Sequence, residues 1–192
     1  LKSGGRGSAE PWEQSVIEAA VAVDGARRAY LARLDPLVSA FGMALLNAPV
    51  SIDYRAGWRE GSSFEEALRE SVDRDKEAGF TQVGPHRADL RIDFGGRAAM
   101  DLASRGQQKL VAAALVMAQV KAGERGRDEI LLVDDPAAEL DGSAVSRLLE
   151  ELGRLDCQRI YTGLESFDVS PASGRMFHVE QGVINECYNG SV

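Results

Sequence analysis

The densest chemistry in this chain lies between residues 104 and 141. The apolar run Ile130-Leu131-Leu132-Val133 leads straight into Asp134-Asp135. An apolar strand that ends in a carboxylate delivers that carboxylate to the carboxyl edge of a sheet, where α/β folds hold ligands. There Asp134 could hold Mg²⁺, largely through water, with the metal bridging phosphate oxygens. Asp135, one residue on, could orient or deprotonate an attacking water. The same run is equally readable as a strand closed by a polar turn. Upstream, Ser104-Arg105-Gly106-Gln107 stands at a helix start. Exposed N–H groups, the helix dipole, a hydroxyl and a glycine that permits close approach together favour a phosphate there. Ser104 alone is also an ordinary N-cap. Glu139-Leu140-Asp141, between the acidic strand end and the next helix, is by itself only an acidic helix start. His86 and Arg87 follow a rigid Gly84-Pro85 turn, where they could contact phosphate or DNA, or simply hydrogen-bond within the turn.

The surrounding pattern predicts the elements that would position these groups. From Pro11, apolar residues recur at three- and four-residue steps through Val16, Ala20, Val23, Tyr30, Leu34, Leu37, Phe41 and Leu45. This predicts a long amphipathic helix or helix pair, kinked or broken at Pro36. Residues 50–54 alternate and predict a short strand, and Ser62-Ser63 with Glu65 and Glu66 caps a charged helix to about Glu77. Residues 81–83 read as extended. Leu90, Ile92 and Phe94 alternate with Arg91 and Asp93 before Gly95-Gly96, a hairpin signature. Ser104 then opens a helix with Leu110, Val111, Ala114, Leu115 and Ala118 on one face. The run 130–133 predicts a buried parallel strand. A helix from about Gly142 to Leu152 follows, with strands near 159–162, 175–179 and 182–185. The helix–strand alternation makes the second half α/β.

The 192 residues suit one ordinary domain or one with a small appendage, and 44% hydrophobic with 27% charged residues is globular composition. A net charge of −8 excludes nucleic-acid binding by blanket positive charge and leaves only a local patch. Arg87, Arg91, Arg97, Arg105 and Lys109 form one candidate patch, and Arg27, Arg28 and Arg33 another, although a solvated helix face explains the latter equally well. No apolar run approaches the roughly 20 residues of a membrane span, and residues 1–9 are Gly/Ser-rich without the apolar stretch of a signal peptide. Cys157 and Cys187 fit neither a disulfide framework nor a CxxC metal site.

Order and spacing sharpen the reading. A Ser/Gly/Gln helix start, an apolar strand ending in Asp about 25 residues later, and a short acidic loop resemble the second half of an ATP-binding-cassette ATPase. In that resemblance 103–107 is the signature, 130–134 the Walker B strand, and Asp135 stands where most cassettes carry glutamate. Glu139-Leu140-Asp141 matches the loop that crosses the dimer interface. With Val83-Gly84-Pro85-His86-Arg87-Ala88-Asp89-Leu90 added, the chain resembles the RecF family of bacterial DNA replication and repair proteins, densely over 81–142 and more loosely elsewhere. The Walker A loop of that family is missing. The four lysines, Lys2, Lys76, Lys109 and Lys121, never follow a glycine, so no Gly-Lys-Ser/Thr cradle exists here. With Leu at position 1, the chain resembles the C-terminal half of such a protein.

The resemblance implies a partial cassette head at 81–192 with a helical arm subdomain at 1–80. It implies ATP and Mg²⁺ as cofactors of the complete protein, with neither held tightly by this part and no hydrolysis by it alone. Ser104, Arg105, Gly106 and Gln107 would bind ATP in trans, making an ATP-dependent homodimer. Asp134 would serve the metal, Asp135 the water, and Glu139 and Asp141 the dimer interface. Thr162 stands about where cassette transporters carry a γ-phosphate-sensing histidine, a switch position. The implied partners are DNA at single-/double-strand junctions and RecR- and RecO-like mediators, in the cytoplasm near the nucleoid, with no membrane. A chromosome-maintenance cassette of the SMC kind fits less well, because 11–77 hold at most a modest helical hairpin. Two other classes remain in view: a metal-dependent hydrolase built on Asp134, Asp135, Glu139 and Asp141, and a non-catalytic interaction module.

Overall fold

The computed structural model describes residues 11–98, 103–123, 129–164 and 174–187; the Gly/Ser-rich lead-in lies outside them. The first element, α1 (Pro11–Leu46), is one continuous 36-residue helix with Pro36 inside it. Of the two alternatives, a long helix or a helix pair, the chain adopts the long helix, unbroken at Pro36. Proline in a helix interior costs about 3 kcal/mol, but Leu34 and Val38 on either side of it are both buried. Burying two such side chains contributes about 1.5–3 kcal/mol each, which outweighs that cost. Asp35 beside the proline accepts the backbone N–H of Ile52 at 2.9 Å, tying the helix to the first strand.

That strand, β1 (Val50–Arg55), pairs antiparallel with β2 (Asp89–Phe94), and β2 pairs with the short β3 (Arg97–Ala98). The β2–β3 turn is Gly95-Gly96 at φ +58° and +80°, a primed two-residue turn closing the hairpin that the sequence predicted. Between β1 and β2 lies α2 (Phe64–Ala78), opened by a capping box in which Ser63 and Glu66 satisfy each other's backbone N–H groups. Residues 81–83, expected to be extended, join no strand ladder.

The second half is built on α3 (Arg105–Ala122), β4 (Ile130–Asp134), α4 (Gly142–Gly153) and β5 (Gln158–Thr162). β4 and β5 are parallel and in register from Ile130↔Gln158 to Asp134↔Thr162, with α4 as the crossover. Leu45 of α1 packs with Leu110, Ala114 and Met117 of α3 and with Leu148 and Leu152 of α4. Arg147 of α4 also donates to the Leu45 carbonyl at 3.3 Å. The segments on either side of residue 80 thus share a sheet and a core. The last strands, β6 (Met176–Glu180) and β7 (Val183–Cys187), form an antiparallel hairpin.

The sequence predicts β4 as a strand buried on both faces, and here the structure departs from it. Leu131 and Val133 pack on the α3–α4 core, while on the opposite face Ile130 and Leu132 are 60% and 71% exposed, alongside Ile160 at 47%. The apolar run is continuous, but among the described residues only one face of its sheet is covered. A second departure concerns α1, a segment of which is long and apolar enough to cross a membrane. A search for uninterrupted apolar runs passes it over. Leu34, Val38 and Leu45 of this helix pack on the internal core, against α3, α4 and β1, while Val21, Val23 and Met43 are exposed.

Because α1 and the second half share one core, Leu45→Ala should lower unfolding stability by about 2–5 kcal/mol in a single transition. Urea unfolding followed by two probes checks this, and separate transitions for the two segments would contradict it.

Candidate functional site

The residues singled out between 104 and 141 converge where the first turn of α3 meets the loop after β4. Ser104 is the N-cap of α3: its Oγ accepts from the Gln107 N–H at 3.3 Å, and the Gln107 Oε1 accepts from the Ser104 N–H at 2.9 Å. The ordinary capping role is therefore real. It does not exhaust the serine, because a hydroxyl that accepts one bond still has a proton to donate. Two residues on, a Cβ added to Gly106 would stand 2.8 Å from the Glu139 carbonyl oxygen, so only glycine allows the loop this close. Arg105 reaches Glu139 at 3.5 Å across the same contact.

At the end of β4, Asp134 is exposed and its carboxylate accepts from the Thr162 hydroxyl of β5. The next residue, Asp135, has φ +41°, and Glu139 has φ +64°. Left-handed backbone costs a non-glycine residue on the order of 1–2 kcal/mol. What holds the loop is Lys109 of α3, whose Nζ donates to the carbonyls of Asp135 at 2.6 Å and Ala138 at 2.9 Å. Hydrogen bonds from a charged donor are worth about 1.5–3 kcal/mol each, enough to offset the strain. From the other side, the Asp135 N–H donates to the Thr162 carbonyl at 3.1 Å.

Lys109 is the member whose positioning role the sequence does not show: the pattern places it among the charges of 84–109 and in the Ser-Arg-Gly-Gln-Gln-Lys string at 104–109. A usable signal was present: three residues after Gly106 on a helix, it shares the face that meets the loop.

Asp141 caps α4, accepting from the Ala144 N–H at 2.9 Å and the Ser143 hydroxyl at 2.6 Å. The Ser143 hydroxyl, followed by the Ala144 N–H, holds the Asp141 carboxyl below its usual range. Burial raises the Cys157 thiol above its ordinary value, so that cysteine is not an activated nucleophile. The four carboxylates needed for a metal-dependent hydrolase do not gather: among the described residues no three acidic, histidine or cysteine groups converge on a metal position. Of the acidic groups, Asp134, its carboxylate oriented by the Thr162 hydroxyl, is the one that would suit a magnesium ion held largely through water.

His86 and Arg87 sit apart in a turn of 3-10 helix (Pro85–Arg87). The His86 Nε2 lies 3.0 Å from the Thr81 carbonyl, Arg87 stacks over Phe80, and Arg27 donates to the Pro85 carbonyl at 2.7 Å. Other members of the two candidate basic patches also have internal partners: Arg28 pairs with Asp24 over the Tyr54 ring, and Arg91 pairs with Asp93.

No family model matches the chain. Among curated proteins it is 41% identical over 180 residues to the DNA replication and repair protein RecF of Thioalkalivibrio sulfidiphilus, covering 90% of this chain and 50% of the relative. It is 38% identical over 192 residues to RecF of Stutzerimonas stutzeri, covering 94% and 51%. Among solved structures it resembles the recombination mediator protein RecF-ATP in the RecFOR pathway, with a TM-score of 0.67 and 24% identity over 96% of this chain and 52% of that one. The RecF-ATPrS structure gives 0.69 and 25% over the same shares. The chain spans about half the length of the curated relatives that it matches.

Two outcomes test this geometry. Gly106→Ala should destabilise the chain by about 1–3 kcal/mol, because the clash with the Glu139 carbonyl exceeds the roughly 1 kcal/mol that alanine gains in a helix; urea unfolding measures it. For Asp141, a depressed pKa in the folded state means that its contribution is present above the unfolded-state pKa and is lost as pH falls through the folded value. Unfolding titrations should show Asp141→Asn losing stability relative to the parent at neutral pH, with the difference shrinking as pH drops below the ordinary aspartate range.

Proposed function

Because the chain belongs to the RecF family, we propose that it works as the C-terminal half of an ATP-dependent DNA replication and repair protein. The observation that carries this reading is the apposition of the α3 N-terminus and the Asp134-Asp135 end of β4, locked together by Gly106 and Lys109. An anion-favouring helix end and a strand-end carboxylate pair, fixed by one contact, are what phosphate recognition coupled to hydrolysis needs.

In this reading, the α3 N-terminus meets the γ-phosphate of ATP held by the N-terminal half of a second protomer. The Ser104 hydroxyl and the N–H groups of the first turn donate to it, while Arg105 and Gln107 flank it. Mg²⁺, when bound, neutralises charge on the phosphates. Asp134 would hold it, largely through water, with its carboxylate oriented by the Thr162 hydroxyl. Asp135 orients the attacking water. Thr162 bonds to both the Asp134 carboxylate and the Asp135 N–H, so it occupies the switch position between them. Glu139 and the Asp141 cap shape the loop that faces the partner.

ATP is then the tie between two protomers, and hydrolysis releases them. The 192-residue chain alone, without a Walker A loop, binds nucleotide weakly and does not hydrolyse it. An arm at 1–80 and a head at 81–192 divide the function and not the packing, since Leu45 and β1 of the first segment join the core and sheet of the second. The open face carrying Ile130, Leu132 and Ile160 is where elements of the N-terminal half pack, while its strands extend the sheet at a free edge. The names of the relatives and structural neighbours, a DNA replication and repair protein and a recombination mediator of the RecFOR pathway, support a wider role in DNA repair. Within that role the family resemblance implies binding of DNA at single-/double-strand junctions and helping RecO- and RecR-like mediators load recombinase at gaps, in the cytoplasm close to the nucleoid. His86 and Arg87, fixed in their turn by Thr81 and Phe80, serve the turn itself or contact DNA.

Ser104→Arg in the chain joined to its native N-terminal half should abolish ATP-dependent dimers while each monomer still binds nucleotide. Sedimentation with and without ATP reads the first, and fluorescent-nucleotide titration the second. Dimers that persist unchanged would remove the trans role of Ser104, and partner binding indifferent to ATP would favour the interaction-module reading.

A further inference from the structure

Resting on that reading of α3 and Asp135, we propose that Lys109 is a positioning residue that makes the placement of the Asp135 carboxylate depend on where the phosphate-facing end of α3 stands. The backbone flanking Asp135 is held from two separate elements. Its N–H donates to Thr162 of β5 at 3.1 Å, and its carbonyl accepts from Lys109 of α3 at 2.6 Å. The second Lys109 bond, to the Ala138 carbonyl at 2.9 Å, closes the turn across which Ala138 N–H donates to Asp135 at 3.2 Å.

Lys109 lies five residues after Ser104, so its backbone is about 7.5 Å along the same helix. A helix moves as a unit over that length. A shift of the first turn on engaging a phosphate is therefore carried by the lysine to the Asp135 carbonyl. The effect on the carboxylate is direct, because Asp135 sits at φ +41° and has one side-chain methylene fewer than glutamate. A short side chain on a strained backbone depends on the backbone for its aim. Lys109 acts through this contact and is not assigned a contact with substrate.

The test uses the chain joined to its native N-terminal half, with Lys109→Met as the variant that keeps the stem and removes the donors. The kcat for ATP hydrolysis should fall about tenfold or more, since small misplacements of reacting groups carry large rate penalties. KM for ATP should stay within about twofold, and the ATP-dependent dimer should weaken clearly less than the rate falls, since Lys109 also holds the loop that carries Glu139. Lys109→Arg, which keeps charge and donors, should recover part of the rate. In the 192-residue chain, hydrogen exchange at Ala138 should quicken in Lys109→Met. A Lys109→Met kcat within about twofold of the parent overturns the proposal, as does a rate loss fully matched by loss of dimer or a rise in KM. If the unsubstituted protein neither hydrolyses ATP nor dimerises with it, the functional reading fails and takes the rate claim with it. Unchanged exchange at Ala138 removes the lysine's hold on the loop whatever the activity.

Discussion

The contact between the first turn of α3 and the loop after β4 is the constraint on which the site depends. A helix start and a strand end come from separate parts of the chain, and neither makes a site alone. They are brought within bonding distance because Gly106 has no Cβ to strike the Glu139 carbonyl and because Lys109 spans the gap to Asp135 and Ala138. The left-handed residues Asp135 and Glu139 are stable there because that contact exists. Strained backbone of this kind persists only where its surroundings over-determine it.

The scaffold serves that contact. α1 and α3 lie along one another, and α4 returns the chain so that β4 and β5 are parallel, which puts Asp134 and Thr162 side by side. The Thr162 hydroxyl and carbonyl then reach both members of the Asp134-Asp135 pair. Core packing places the helices, while hydrogen bonds place the atoms that do chemistry. The shared burial of Leu45 with α3 and α4 explains why a segment distant in sequence from the site still determines its geometry.

Much of this was legible in the sequence where a local rule decides. Gly95-Gly96 forces a primed turn, Ser63 with Glu66 makes a capping box, and Ser104 with Gln107 repeats it. The strand ending in Asp134-Asp135 and its place before an acidic helix start were readable for the same reason. The features left open or missed are cases where tertiary packing decides. Pro36 leaves a long helix and a helix pair both readable, and buried Leu34 and Val38 decide for the helix. The 130–133 run reads as doubly buried, yet half of it faces outward, because an apolar run does not say what lies above a sheet. Lys109 was unreadable as a positioning group because its role is a distance between two elements, and only the folded chain supplies distances.

The central claim is that α3 recognises phosphate across an interface between protomers. The most direct measurement mixes two variants of the chain joined to its native N-terminal half, one carrying Ser104→Arg and the other a disabled phosphate-binding loop in that half. Each variant alone should be inactive, and the mixture should regain ATP hydrolysis because one composite site is then intact. A mixture as inactive as its components would contradict the account.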